Sequence, residues 1–213
     1  MPMLDVEFKL IGKSLPADHG YHLLSAVSRV LPSIHGDESV GLHPVSGAPN
    51  GNRLISLSPK SALKIRIDSG RVREVLPLAG QRLDVGGHPV SLGAPQTRAL
   101  VPAARLYSRL VVIKGFMEPE EFLAAARRQL AQMDVKADAS LVPQPQIAEA
   151  NADSASGARS PFLRRTLRIR DKNVVGFAVM VDGLSAEESI LLQEKGLGGR
   201  RRFGCGIFIP DRR

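Results

Sequence analysis

The chain has 213 residues, of which 43% are hydrophobic and 23% charged, as expected of a soluble globular protein with one large domain or two small ones. It contains neither an apolar run near the ~20 residues that span a membrane nor an N-terminal secretory signal, so we expect a cytoplasmic protein. The net charge of +8 favours an anionic partner. Nucleic acid is the leading candidate, because its phosphates release counterions when they bind a basic surface.

The first half of the chain predicts the element order β-α-β-β-α-β. Apolar residues at helical spacing follow Asp18, which can cap the first helix, and Pro32 ends that helix. Apolar residues alternate with Lys64 and Arg66 as in a strand, and Ser69 can cap a second, short helix. The predicted strands cover residues 4–11, 39–45, 53–67 and 85–92.

The second half predicts the same order. Its first helix has Pro119 in the first turn, beside acidic residues that the helix dipole favours there. Its second helix begins at a capping box of Ser185 and Glu188 and ends at Gly196. Residues 136–161 are rich in Ala, Ser, Pro, Gln and Asp, which indicates a flexible insertion. The predicted strands cover residues 106–114, 163–170, 174–181 and 207–209.

Together the halves predict an α+β fold of two tandem ferredoxin-like (RRM-like) βαββαβ units, although no sequence repeat is visible. We expect the N-terminal unit at residues 1–95, with the candidate catalytic histidine. The C-terminal unit is expected at residues 96–213, with a basic glycine-rich loop.

Basic residues concentrate in the last quarter of the chain, where residues 159–213 carry twelve Lys/Arg against six Asp/Glu. Arg168 and Arg170 share one face of a predicted strand, and Arg105, Tyr107 and Arg109 share one face of another. A cationic sheet face with an aromatic ring is typical of RNA recognition, because arginine pairs with phosphates and unstacked bases lie on the ring. A solvated face of an antiparallel sheet is the alternative.

The segment GLGGRRRFGCG at residues 196–206 combines five glycines with Arg200, Arg201 and Arg202. Glycine lets a ligand approach the backbone, and arginine forks suit phosphate oxygens, so this loop favours a polyanion. It lacks the Gly-Lys-Ser/Thr ending of a nucleotide-binding P-loop and precedes a strand, which argues against ATP hydrolysis. Cys205, the only cysteine, excludes an intramolecular disulfide and is expected to be a small packed residue.

Four of the five histidines lie between His19 and His43. Neither a cysteine cluster nor an HExxH motif accompanies them, so we expect no metal site and no cofactor. His19 and His22 lie in the first helical turn and fit a structural role. His35 follows the Pro32 break on a polar loop, where an imidazole can give or take a proton near neutral pH.

Several segments resemble a single family. GLGGRRRFGCGIFIP at 196–210 resembles the C-terminal glycine-rich signature of the CRISPR repeat-processing endoribonucleases, the sixth family of Cas proteins. LPADHGYHLLSAVSRVLPSIH at 15–35 resembles that family's first helix and the histidine that follows it. LPLAG at 76–80, LDVGG at 83–87 and RLVVIKG at 109–115 resemble its Myxococcus-type branch.

This resemblance implies a metal-independent ribonuclease that cuts CRISPR repeat stem-loops in precursor RNA to give mature guide RNAs. In the family the 2′-hydroxyl attacks the adjacent phosphorus and leaves a 2′,3′-cyclic phosphate. The family's acid/base histidine corresponds to His35, and a position that is often tyrosine falls near Ser28. The family's lysine has no counterpart in the region of Gly41 and His43, so His43, or an Arg or Lys from elsewhere, is the candidate cationic partner.

The basic and glycine-rich residues are expected to hold the RNA. Two alternatives to the enzyme remain: a non-cleaving RNA-binding subunit of a multisubunit CRISPR effector complex, and a basic RNA-binding module unrelated to CRISPR. The expected RNA-binding residues are Arg105, Tyr107, Arg109, Arg164, Arg165, Arg168, Arg170, Gly198, Gly199, Arg200, Arg201 and Arg202.

Overall fold

A computed structural model describes residues 1–144 and 160–211 of the chain. The N-terminal half, residues 1–104, contains the α-helix α1 (Gly20–Val30) and 3-10 helices at Pro32–Ile34, Ser69–Glu74 and Leu76–Leu78. Its strands are β1 (Met3–Ile11), β2 (Ser14–Pro16), β3 (Gly41–Leu42), β4 (Ala48–Pro49), β5 (Leu54–Ser56), β6 (Ala62–Asp68), β7 (Arg82–Asp84) and β8 (Pro89–Ala99).

The main sheet of this half is antiparallel, with strand order β3-β6-β1-β8-β7. β1 lies between β6 and β8, and β3 lies on the far side of β6, which is the strand order of a ferredoxin-like unit. α1 buries Leu23, Leu24 and Val27 in the core formed with this sheet. The predicted fold is therefore confirmed for this half.

Several local predictions for this half were wrong. Asp18 does not cap α1: its Oδ2 accepts a hydrogen bond from Arg168 N at 2.8 Å, and His19 occupies the N-cap position. The second helix is a 3-10 helix, capped by Asp68 rather than Ser69. Propensity alone does not settle such details, because tertiary partners compete for the same polar side chains.

The strand bounds also differ from those predicted. The strand expected over residues 39–45 shortens to β3, and the strand expected over 53–67 divides into β5 and β6. β8 runs to Ala99 and residues 100–104 lead into the next sheet, so the unit boundary expected at residue 95 falls within β8.

The C-terminal half, residues 105–211, contains α2 (Pro119–Gln132), α3 (Ala186–Lys195) and a 3-10 helix at Arg201–Phe203. Its sheet has strand order β10-β12-β9-β13, again ferredoxin-like, and β11 pairs with β12 as a hairpin. Phe122 of α2 meets Phe177 of β12 edge-on, with ring centroids 4.9 Å apart. No helix among the described residues is long and apolar enough to cross a membrane. The strands of this half are β9 (Arg105–Val111), β10 (Asp138–Leu141), β11 (Arg164–Ile169), β12 (Lys172–Asp182) and β13 (Ile209–Pro210).

The prediction of a flexible insertion at residues 136–161 was wrong in part. Residues 138–141 form β10, which pairs with the end of β12. Ala139 and Leu141 are buried while Asp138 and Ser140 are exposed, the alternation of a strand that covers a core. Residues 145–159 lie outside the described residues.

The capping box predicted for α3 is confirmed. Ser185 Oγ accepts a hydrogen bond from Glu188 N at 3.2 Å, and Glu188 Oε2 accepts one from Ser185 N at 2.8 Å. Glu188 Oε1 also accepts a hydrogen bond from Lys136 N at 2.7 Å, so the same carboxylate holds the chain between α2 and β10.

Ser185→Ala should lower the free energy of unfolding by about 1 kcal/mol, because it leaves a backbone donor of the first turn of α3 without its side-chain acceptor. Urea denaturation followed by circular dichroism measures the change. Ser185→Thr, which keeps the hydroxyl, is the matched control and should stay close to wild type. Equal stability of the alanine variant and wild type would show that the cap contributes nothing.

Candidate functional site

A cavity of about 710 Å³ lies between α1 and the C-terminal half. One wall is α1 and the loop after it. The other wall is the turn between β11 and β12 together with the 3-10 helix Arg201–Phe203. An exposed imidazole thus shares one cavity with cationic side chains from both halves of the chain. The side chains that define the cavity include Tyr21, Ser25, Ser28, Arg29, His35, Arg170, Lys172, Arg202 and Phe203.

Arg71 anchors the loop that carries His35. Its guanidinium donates two hydrogen bonds to Glu74, at 2.9 and 2.8 Å, and its Nη2 lies 2.7 Å from Asp37 Oδ2. Burial acts to raise the pKa of Asp37, but hydrogen bonds from Ser39 and Arg71 hold that pKa below its usual value. The carboxylate is therefore charged at neutral pH, and the ion pair holds the chain two residues beyond His35.

The face of α1 that lines the cavity carries Tyr21, Ser25 and Ser28 at positions i, i+4 and i+7. Ser28 Oγ is buried and has no hydrogen-bond partner among the described residues. The ring of Tyr21 lies 11° from parallel to that of Phe203, with centroids 6.5 Å apart. Tyr21 was absent from the predicted site, although its helical spacing from Ser28 could have indicated it.

The three consecutive arginines lie in three different environments. Arg200 is exposed and has a left-handed backbone with φ 68°. Arg201 has a buried Nε and Nη2 without hydrogen-bond partners among the described residues, and burial together with Arg66 lowers its pKa to about 10. Arg202 lines the His35 cavity, with Cζ 5.6 Å from the Phe203 ring centroid, a cation–π distance. The charge run of the sequence is therefore not a single patch.

Hydrogen bonds attach the glycine-rich loop to the end of β9 and the residues after it. Gly199 N donates to Val112 O at 3.0 Å, and Gly206 N donates to Leu110 O at 2.7 Å. Gly198 has φ 68°, and a Cβ there would collide with Val112 O, so this position requires glycine. Gly199 is exposed, whereas Gly198 serves the close packing that presents the arginines.

A second cavity, of about 360 Å³, lies at the start of α1 and shares Phe203 with the first. Arg53, Arg109, Arg164 and Arg165 line it. Burial, and then repulsion from Arg165, lower the pKa of Arg109. Arg165 Nε is buried without a partner among the described residues. An anion bound here would relieve the repulsion between these charges.

The other predicted RNA-binding residues are spread over neighbouring surfaces. Arg105 forms an ion pair with Asp182 across β9 and β12. Tyr107 lines a cavity of about 450 Å³ together with Arg109 and Arg165. Arg168 and Arg170 line a cavity together with Arg53. Neighbouring cavities share lining residues, and we call this row of adjoining cavities, which ends at His35, the cationic groove. Asp5, Asp18 and Asp171 line it as well as the arginines.

His43 does not line the His35 cavity, so the structure does not bring these two candidate catalytic residues together. The His43 ring is buried, with Nε2 3.2 Å from Asp5 Oδ1. Burial lowers the pKa of His43 more than the hydrogen bond to Asp5 raises it, which keeps the ring neutral at pH 7. Its contacts are those of a residue that supports the interior.

The structural role predicted for His19 is confirmed. Its Nδ1 donates to Pro16 O at 2.8 Å, and its Nε2 accepts a hydrogen bond from Val45 N at 2.8 Å. Both ring nitrogens are therefore used within the protein. Over residues 1–144 and 160–211, no three His, Cys, Asp or Glu side chains are grouped so that they could hold a metal ion.

The chain is similar to known proteins in both sequence and fold. A family model described as Cas6 Crispr matches residues 4–213. The CRISPR-associated endonuclease Cas6 of Myxococcus xanthus (strain DK1622) is 37% identical over 213 residues, which are 100% of this chain and 84% of that protein. A solved CRISPR-associated protein Cas6 has a TM-score of 0.64 at 11% identity and covers 99% of this chain and 100% of its own. A Cas6-related protein from Pyrococcus furiosus has a TM-score of 0.63 at 11% identity, with the same coverage.

The packed role expected for Cys205 is confirmed. The side chain is 0% exposed, and burial raises the pKa of its thiol to about 12. The thiolate, which is the nucleophilic form of cysteine, is therefore scarce at any physiological pH.

Alkylation of Cys205 by iodoacetamide at mildly alkaline pH should be more than ~10²-fold slower in the native protein than in the denatured chain, because the native thiol is shielded and protonated. Mass spectrometry of timed samples measures the rate, and the denatured chain is the internal control. A native rate close to that of the denatured chain would mean that the glycine-rich loop opens readily.

Proposed function

This chain belongs to the Cas6 family of CRISPR-associated endonucleases, and from that membership we propose that it cleaves CRISPR repeat RNA in the cavity that contains His35. One observation supports this location above all others. The cavity joins His35 and Tyr21 of the N-terminal half to Lys172 and Arg202 of the C-terminal half. Cleavage of RNA through its own 2′-hydroxyl needs proton transfer and positive charge at one phosphate, and these side chains supply both.

His35 carries out the proton transfer. Its exposed imidazole takes the proton of the 2′-hydroxyl as that oxygen attacks phosphorus, and a proton returns from the ring to the departing 5′-oxygen. The products are a 2′,3′-cyclic phosphate and a 5′-hydroxyl, and water is not consumed. General acid and base catalysis of this kind contributes ~10²–10⁴-fold to a rate. Proton transfer between the RNA and the imidazole needs no metal ion.

Arg202 supplies the positive charge at the phosphorane. Its stacking on Phe203 restricts the guanidinium, and a planar fork of donors matches two phosphate oxygens. The family's lysine has no counterpart beside His43, and Arg202 takes that role from the other half of the protein. Lys172 and Arg170 add charge at the same cavity from the β11–β12 turn.

The family position that is often tyrosine falls near Ser28, and we assign the role of that tyrosine to Tyr21, which lines the same cavity. Both residues lie on the same face of α1, but Ser28 Oγ is buried. A phenol is longer than a serine side chain and can reach the centre of the cavity. Ser28 then serves as a small residue that leaves room for the substrate.

The cationic groove binds the rest of the RNA. Among the described residues, no carboxylate forms an ion pair with Arg53, Arg109, Arg164 or Arg165 of the kind that Arg105 and Arg71 form, so phosphates can neutralise these four arginines. Base stacking on Tyr107 accompanies these contacts. The partner is thus precursor RNA, and after cleavage the guide RNA. Membership of a multisubunit CRISPR effector complex stays a prediction.

His35→Ala should lower the single-turnover cleavage rate of repeat RNA by more than ~10²-fold, because it removes the proton carrier. The dissociation constant for the repeat should stay within about threefold of wild type, since the groove is unchanged. Gel assays of labelled RNA in the presence of EDTA measure both. His88→Ala, a change at a half-buried histidine that lines none of the four cavities described above, is the matched control.

The RNA substrate provides the second arm of this test. A repeat with 2′-deoxyribose at the cut nucleotide should bind but remain intact, and mapping of the RNA ends should find the cyclic phosphate. No product from wild-type protein in EDTA would leave the non-cleaving subunit as the better description. Equal affinity for a scrambled hairpin would favour an unrelated RNA-binding module.

Arg202→Ala should lower the cleavage rate by ~10²-fold, because it removes a donor at the developing charge. Arg200→Ala should leave that rate nearly unchanged but weaken RNA binding and reduce its salt dependence by about one phosphate contact. The two substituted arginines lie two positions apart in one loop, so each variant is the control for the other. Equal effects of both on rate and affinity would contradict the division of roles.

A further inference from the structure

Arg66 of β6 is 1% exposed and is the bulkiest fully buried side chain among the described residues. Its alternation with Ile65 and Ile67 is that of a strand with one polar face, yet this polar face is covered. The guanidinium meets Asp5 of β1 in a two-point pair, with Nε at 2.8 Å from Oδ1 and Nη2 at 2.9 Å from Oδ2. A carboxylate fork of this kind stabilises a charge that burial would otherwise make costly.

The third nitrogen of Arg66 crosses to the other half of the protein. Nη1 donates to Gln193 O at 2.9 Å and to Phe208 O at 2.8 Å. Gln193 lies just before the glycine-rich loop of residues 196–206, and Phe208 lies just after it. One guanidinium therefore binds the backbone on both sides of this loop.

Within the part of the chain that the structure describes, the hydrogen bonds of residues 196–206 themselves stay inside the C-terminal half. Gly199 N and Gly206 N bond to Val112 and Leu110, and Gly198 N donates to Gln129 Oε1 at 2.7 Å. All of these partners belong to the C-terminal half. They fix the shape of the loop but cannot set its position relative to His35, which belongs to the N-terminal half.

Other contacts join the two halves without holding both ends of the loop. Met3 N donates to Glu194 Oε1 at 3.0 Å, and Arg168 N donates to Asp18 Oδ2 at 2.8 Å. In contrast to these two contacts, the hydrogen bonds of Arg66 reach backbone carbonyls on both sides of the loop. Because hydrogen-bond geometry is directional, it sets position more strictly than apolar packing does.

We propose that Arg66 is a positioning residue for RNA cleavage: it clamps both ends of the glycine-rich loop and thereby holds Arg202 at the His35 cavity. Asp5 supports the clamp by orienting the guanidinium, and His43 supports Asp5 through its Nε2. This inference rests on the proposed function for its effect on catalysis. The clamp itself is a property of the loop and can be measured without RNA.

Arg66→Lys tests the proposal, because lysine keeps the charge beside Asp5 but its single ammonium cannot reach Asp5 and both carbonyls together. We expect a 10- to 100-fold loss in kcat, because the chemical step depends on the position of Arg202, which this variant disturbs. KM should stay within about threefold of wild type, because the cationic groove is unchanged. Arg127→Lys, at an arginine of α2 that pairs with Asp138, is the matched control and should leave kcat unchanged.

A double-mutant cycle separates positioning from general damage. Arg66→Lys added to Arg202→Ala should lower kcat little further, because the first change acts through the residue that the second removes. A loss in kcat of the double variant equal to the product of the two single losses would overturn the proposal. If Arg66→Lys fails to fold, Asp5→Leu with Arg66→Met replaces the pair by apolar side chains, a change that buried ion pairs often tolerate. The same loss in kcat is expected.

Hydrogen exchange of the free protein supplies the readout without RNA. In Arg66→Lys the amides of residues 196–206 should exchange at least ~10-fold faster, while those of β1 and α2 keep their wild-type rates. Unchanged loop exchange together with unchanged kcat would overturn the proposal. Faster loop exchange in a protein whose wild type does not cleave RNA would retain the clamp and reject the proposed function.

Discussion

In the arrangement that we propose, the contact between Arg66 and Asp5 is the interaction on which the position of the glycine-rich loop depends. An arginine side chain that is almost fully buried at an interface needs a carboxylate close by, and Asp5 lies on the neighbouring strand. Burial acts to raise the pKa of Asp5, but hydrogen bonds from His43 and Arg66 hold that pKa well below its usual range. The pair is therefore ionised at neutral pH. Its spare donors reach across the interface, so each half completes the hydrogen bonding of the other.

A site divided between two domains needs such a constraint. His35 is held by its own half through the pair of Arg71 and Asp37, and Arg202 is held by the other half through the glycine-rich loop. Neither half alone contains both the imidazole and the arginine that we assign to cleavage. Close contact between Gly20 and the Phe203 carbonyl adds to the interface, since a Cβ at residue 20 would lie 2.5 Å from that oxygen. In the proposed reaction, the geometry of the site is thus set by the packing of the two units.

Much of the fold could be predicted, because local patterns decide which segments become helices and strands. The apolar spacing in α1, Pro119 at the start of α2 and the capping box at Ser185 each act within a few residues. Predictions of local details failed where a partner distant in the sequence bound the same residues. Asp18 was expected to cap α1 but binds Arg168 N, and residues 138–141 formed a strand because β12 offers them an edge.

The sequence by itself determined the two ferredoxin-like units and the glycine-rich loop, and it predicted His35 as the catalytic residue, since these depend on local order and on family signatures. Only the tertiary structure decided which charges share a site. Adjacent residues of a tight turn point in different directions, so Arg200, Arg201 and Arg202 separate into solvent, interior and cavity. Alternation in β6 marks Arg66 as polar but not as buried, because the second half that covers it lies more than a hundred residues further along the chain.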